Sequence, residues 1–95
     1  MNFAAYMTAV NEERRIIGEN VRRLRKQAGL SVDELMERKR IPISRPYWYE
    51  IEQGVCNASI TNLVVVAEAL GVSLRDLLES PKPKRERRAA EAVRN

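Results

Sequence analysis

The chain has 95 residues, 44% of them apolar and 32% charged, with 17 Lys and Arg against 13 Asp and Glu. That length suits one domain with a modest core, burying roughly 60% of the surface its unfolded chain would expose. With no histidine and Cys56 as the single cysteine, an internal disulfide framework and the His/Cys sets of structural zinc are excluded, no cofactor or metal is expected, and an enzyme is disfavoured.

Taken in chain order, residues 1–11 read as an N-terminal extension. Phe3, Tyr6, Met7 and Val10 fall at i, i+3, i+4 and i+7, which suits either a short extra helix seeking a partner surface or a frayed terminus. No basic leader precedes Glu12 and Glu13, and no apolar run nears the ~20 residues of a membrane span. The expectation is a reduced, cytoplasmic protein with no membrane partner. The domain itself is read as 12–80. Ile17, Val21, Leu24 and Ala28 make one apolar stripe on a first helix of about residues 12–28, closed by Gly29. Ser31-Val32-Asp33-Glu34 is a capping box that opens a short second helix with Leu35 and Met36 turned inward. A third helix starts at Ser44, places Trp48 and Ile51 on one face, and stops at Gly54. Ser59 caps a fourth, with Leu63, Val66, Ala67 and Leu70 inside and Gly71 as its terminator. Val64-Val65-Val66 is β-prone locally, but it sits inside a helical pattern with stops at both ends. Ser73-Leu74-Arg75-Asp76 opens a fifth, short helix carrying Leu74, Leu77 and Leu78. Pro81 and Pro83 close the domain, and 81–95 reads as a basic tail, disordered or partly helical. The fold class is all-α, five helices around one small core.

Charge is distributed unevenly. Residues 14–40 carry nine bases against four acids, 41–80 two against five, and 81–95 six against two. Two basic blocks flanking an acidic, apolar-rich segment favour a polyanionic partner; the plain alternative is a solvated surface rich in arginine.

A turn joining the second and third helices suggests a helix-turn-helix module. With Trp48 and Ile51 inward, Arg45, Pro46, Tyr49, Glu50 and Gln53 point outward. Trp48 is read as core rather than as a base-stacking group, since single-strand stacking uses several exposed aromatics. Three blocks, Gly29-Leu30-Ser31-Val32-Asp33-Glu34-Leu35, Ile43 through Gly54, and Asn57-Ala58-Ser59-Ile60 with Ala67 through Leu74, resemble the lambda-repressor-like (Cro/CI, or XRE) DNA-binding family. The resemblance covers about residues 16–79.

It implies a partly buried structural ion pair between Arg25 and Glu52, and a third helix that enters the major groove. Arg45 is the leading candidate for base reading, through a two-pronged contact to guanine; its alternative is a phosphate contact. Tyr49 matches a base-proximal position and can meet a thymine methyl. Glu50 either accepts from cytosine N4 or sits at the rim, and Pro46 packs on a base edge or sugar at no cost to the helix start. Candidates for the DNA backbone are Ser31 at the amides opening the second helix, Ser44, Tyr47, Gln53, Asn57, Arg22, Lys39 and Arg40. Two features depart from the family. Val32 stands where a phosphate-holding Gln is common, and Arg38-Lys39-Arg40-Ile41-Pro42 lengthens the turn by two residues while replacing its usual glycine. Cys56 is read as an inert loop thiol, with a redox switch near DNA as the alternative.

The combined expectation is a sequence-specific double-stranded DNA-binding regulator of transcription, a repressor or autoregulator of a bacterium, phage or plasmid. One module reads too few base pairs, so a homodimer is expected, with recognition helices about 34 Å apart on a near-palindromic site. Its interface falls on the fifth helix with its neighbours, on the Phe3/Tyr6/Met7 segment, or on both. The rival readings are a protein-binding adaptor on the same fold, which Glu50 and Val32 fit, and an antitoxin or restriction–modification controller.

Overall fold

A chain stretch without glycine or proline from Asn2 to Ile17, rich in alanine and closed at its start by a capping side chain, has no reason to break. In the computed structural model, which describes residues 2–80, it does not. The first helix, α1, runs unbroken from Phe3 to Gln27, and Asn2 Oδ1 accepts from the Ala5 amide at 2.9 Å. This corrects the start expected near residue 12: the Phe3/Tyr6/Met7/Val10 segment is neither a separate helix nor frayed. Arg15 bridges Glu12, three residues before it, and Glu19, four residues after it, on one face of the helix. The expected basic tail, 81–95, lies outside the described residues.

Four short helices follow: α2 (Val32–Lys39), α3 (Arg45–Gln53), α4 (Ile60–Leu70) and α5 (Leu74–Leu78), with no strand among the described residues. A serine caps each of them. Ser31 and Glu34 form one reciprocal capping box and Ser73 and Asp76 another, while Ser44 and Ser59 accept from the Tyr47 and Asn62 amides. The turn after α2 begins at Arg40, a non-glycine residue at φ 47°, ψ 45°. That left-handed backbone costs a side-chain-bearing residue on the order of 1 kcal/mol.

Trp48, Leu35, Leu77, Val21 and Val66 are fully buried, with Ile51, Leu63 and Ala67 around them. Each such aliphatic side chain contributes roughly 1.5–3 kcal/mol of burial. The stripe on α1 is rotated slightly from expectation, with Ile16 buried and Ala28 exposed; Leu78, expected inside, is also exposed. Among the described residues, Asn20 is a polar residue fully buried beside this core. Asn20 Nδ2 donates to the Leu77 carbonyl at 2.8 Å and to that of Glu79 at 2.9 Å. It thereby closes the free carbonyl end of α5 against α1.

The seat of α3 on α1 depends on a missing side chain. A Cβ built at Gly18 would stand 2.6 Å from the carbonyl oxygens of both Ile51 and Glu52. Only glycine lets the end of α3 approach α1 so closely.

Candidate nucleic-acid interface

The inward face of α3 is held by apolar packing and by one polar strut. Trp48 and Ile51, a turn apart, sit in the core at 0% and 3% exposure. The indole Nε1 donates to Glu52 Oε2 at 2.6 Å. Arg25, on the last turn of α1, meets the same carboxylate with two prongs, Nε to Oε2 at 2.7 Å and Nη2 to Oε1 at 3.0 Å, and donates through Nη1 to the Leu30 carbonyl. Glu52 thus accepts three hydrogen bonds, and its carboxylate holds the Arg25 guanidinium above its ordinary pKa. The strut joins α1, the loop after it and α3 into one piece.

With that side fastened, Arg45, Pro46, Tyr49, Glu50 and Gln53 all face solvent. They do not form one uniform surface. Tyr49 and Gln53 line a recess of about 320 Å³ with Arg22 and the strut residues Arg25 and Glu52, in the angle between α1 and α3. At the other end of α3, Arg45 Nε lies 2.8 Å from Asp33 Oδ1 on α2, with both side chains mostly exposed. Lys39 and Arg40 turn toward α4, where they line a groove with Ile41, Pro42 and Glu68. They stand apart from the Arg22/Tyr49/Gln53 recess.

The remaining candidates are engaged locally. Ser31 accepts from the Glu34 amide and its own amide donates to Glu34 Oε1, so the opening of α2 is already occupied by a carboxylate. That hydrogen bond lowers the Glu34 pKa. Ser44 caps α3. The Tyr47 hydroxyl accepts from Asn62 Nδ2 at 3.0 Å, and burial raises its pKa. Asn57 is exposed and borders an apolar recess against α1. Cys56 is a free, half-buried thiol in the same recess.

With this geometry the chain can be set beside known proteins. Residues 16–80 match the model of a family described as a helix-turn-helix domain. The chain belongs to the helix-turn-helix family. It is 35% identical over 65 residues to an uncharacterized HTH-type transcriptional regulator, y4dJ, of Sinorhizobium fredii (strain NBRC 101917 / NGR234), covering 68% of this chain and 82% of that protein. Its fold resembles the crystal structure of the hypothetical transcription factor NHTF from Neisseria, with TM-score 0.66 and 29% identity over 82% of this chain and 84% of the other. The lambda-repressor-like resemblance and the all-α class therefore stand.

Within this helix-turn-helix domain, four positioning residues escape a reading of the sequence. Asp33 pairs with Arg45, Asn62 holds Tyr47, Asn20 fastens α5, and Gly18 admits the end of α3. Only Asn20 leaves a trace: it stands on the apolar stripe, three residues after Ile17 and four before Leu24. A polar side chain there must find a buried partner.

Proposed function

We propose that this helix-turn-helix transcriptional regulator binds double-stranded DNA sequence-specifically, as a homodimer on a near-palindromic operator, and acts as a repressor or autoregulator in the cytoplasm. The observation that carries this reading is the two-sided character of α3. One side is sealed by Trp48, Ile51 and the Arg25–Glu52 strut; the other leaves Arg45, Tyr49, Glu50 and Gln53 exposed to solvent. Such a rigid, outward-facing helix following a short helix and turn suits the major groove. Arg45 is the base reader, with its guanidinium on guanine O6/N7. Tyr49 meets a thymine methyl, Glu50 cytosine N4, and Pro46 a neighbouring sugar. Arg22, Gln53, Tyr47, Ser44, Ser31, Asn57, Lys39 and Arg40 supply contacts to the DNA backbone, and the 81–95 tail adds sequence-independent affinity.

Selection of bound duplexes from a random pool tests the reading. The wild-type chain should enrich a two-fold-related sequence, and Arg45→Ala should relax preference at one base pair in each half-site. No enrichment at moderate salt would sink it. That outcome would support the second reading, a protein-binding adaptor, which the exposed acid Glu50, the apolar Val32 and the pairing of Arg45 with Asp33 favour. An antitoxin or restriction–modification controller also binds DNA and is distinguished by a co-purifying toxin or by its operon neighbours.

A further inference from the structure

The first turns of α1 precede the family match, which begins at residue 16. They carry a ridge on which nothing among the described residues packs: Phe3 is 77% exposed, Tyr6 56% and Val10 37%. At the foot of this ridge an apolar recess of about 310 Å³ opens between α1 and the α3–α4 loop, its walls including Val10, Glu13, Ile17, Ile51, Cys56 and Leu63. Val10 belongs to both features, so protrusion and hollow form one continuous surface. A surface that offers both can be its own complement about a two-fold axis.

Charge sets the direction of packing. The first turn of α1 holds no acid, leaving the positive end of the helix dipole uncompensated. Glu13, with no ion-pair partner among the described residues, lies about ten residues further on, roughly 15 Å along the axis, whereas Glu12 is already held by Arg15. Two copies packed antiparallel and crossing near Tyr6 to Val10 place each Glu13 beside the other copy's first turn. The same register brings each Phe3 level with the other copy's Glu13, one wall of the recess. Parallel packing would instead set acid against acid. The two aromatics can each bury roughly 150 Å². With Met7, Val10 and the recess walls of both copies, the total reaches on the order of 1,200 Å², the lower bound of a stable interface.

We propose that residues 3–13 of α1 form the homodimer interface, a second copy of this chain lying antiparallel with its Phe3 seated in the recess beside Cys56. The inference deepens the duplex-reading function, resting on it only for the use to which the dimer is put. It also explains how the dimer sets half-site spacing. The interface ends where α1 grips the end of α3, with Gly54 within 3.2 Å of the Arg14 and Arg15 backbone by its virtual Cβ. A contact made here fixes both recognition helices.

Sedimentation equilibrium of the full chain is the test. The wild-type chain should be a dimer, and Phe3→Glu with Tyr6→Glu should raise its dissociation constant by roughly 100-fold. Both positions are exposed, so the helical circular dichroism signal and binding to an isolated half-site should not change. In a second measurement, oxidised Phe3→Cys should yield a covalent dimer whose peptide map links position 3 of one copy to Cys56 of the other, and adding Cys56→Ser should abolish it. A wild-type chain that stays monomeric at millimolar concentration would overturn the proposal. So would a dimer that survives Phe3→Glu/Tyr6→Glu but dissociates with Ile60→Glu/Val64→Glu, which moves the contact to α4. A dimer lacking any duplex preference sinks the DNA reading and leaves the interface standing; duplex preference without this interface does the reverse.

Discussion

Two arginine–carboxylate pairs brace the two ends of α3, and they differ in almost everything except length. Arg25–Glu52 spans 2.7 Å with side chains 13% and 6% exposed, whereas Arg45–Asp33 spans 2.8 Å with side chains 51% and 66% exposed. Distance therefore says little about their energies. The buried pair is two-pronged and shares its carboxylate with Trp48, so removing either partner strands a charge away from water. The exposed pair is screened and solvated, and its members can part at small cost. One end of α3 is locked, and the other carries an arginine that can be handed to a new partner.

The comparison can be broken most sharply at the buried pair. Glu52→Ala or Arg25→Ala should lower unfolding free energy by about 3–5 kcal/mol, read from urea denaturation. A loss below 1 kcal/mol would mean that the pair is no more than a surface contact. At the exposed pair the outcome should invert. Arg45→Ala should leave stability within about 0.5 kcal/mol but remove ~1–3 kcal/mol of discrimination at one base pair per half-site, read by competition binding. Asp33→Asn should shift stability by less than about 1 kcal/mol and strengthen duplex binding, since an acid leaves the phosphate side. Between these regions, Arg40→Gly relieves the left-handed backbone at φ 47° and should add roughly 1 kcal/mol of stability. If Arg40 neutralises a phosphate, the same change should reduce the salt slope by about one unit.

The smallest effect is one of pH. Amide hydrogen bonds from Ser31 and Ser73 lower the pKa of Glu34 and Asp76 in the folded chain. A carboxylate whose folded pKa is depressed stabilises the fold above its unfolded value, about 4.3 for Glu and 3.9 for Asp, and loses that contribution as pH falls through the lower folded value. Glu34→Gln with Asp76→Asn should therefore flatten the acid limb of stability against pH, read from urea denaturation at stepped pH.

Most of the architecture is legible in the sequence because it is written locally. Serines at 31, 44, 59 and 73 open helices, glycines at 29, 54 and 71 follow their ends, and Trp48 and Ile51 declare the inner side of α3. The start of α1 was misplaced for a reason equally local: Asn2 is the cap, and nothing between it and Ile17 interrupts the helix. The site is less legible. Whether Arg45 finds Asp33, or Tyr47 finds Asn62, depends on the angles between α2, α3 and α4, which no spacing within one helix encodes. Lys39 and Arg40 look equivalent to Arg22 as bare charges, yet the turn after α2 carries them toward α4. Membership in the helix-turn-helix family supplies the frame, and the individual contacts come from packing.

The burial of Trp48 also equips the chain with an optical reporter. It is the single tryptophan, sealed from water, and its ring nitrogen is tied to the strut that locks α3. Its emission should be blue-shifted in the native state and move red only when that helix leaves the body. Because the ring lies on the side opposite Arg45 and Tyr49, a bound duplex would leave the signal undisturbed. Docking of α3 on the body and occupancy of its outer face can thus be followed separately, without a label.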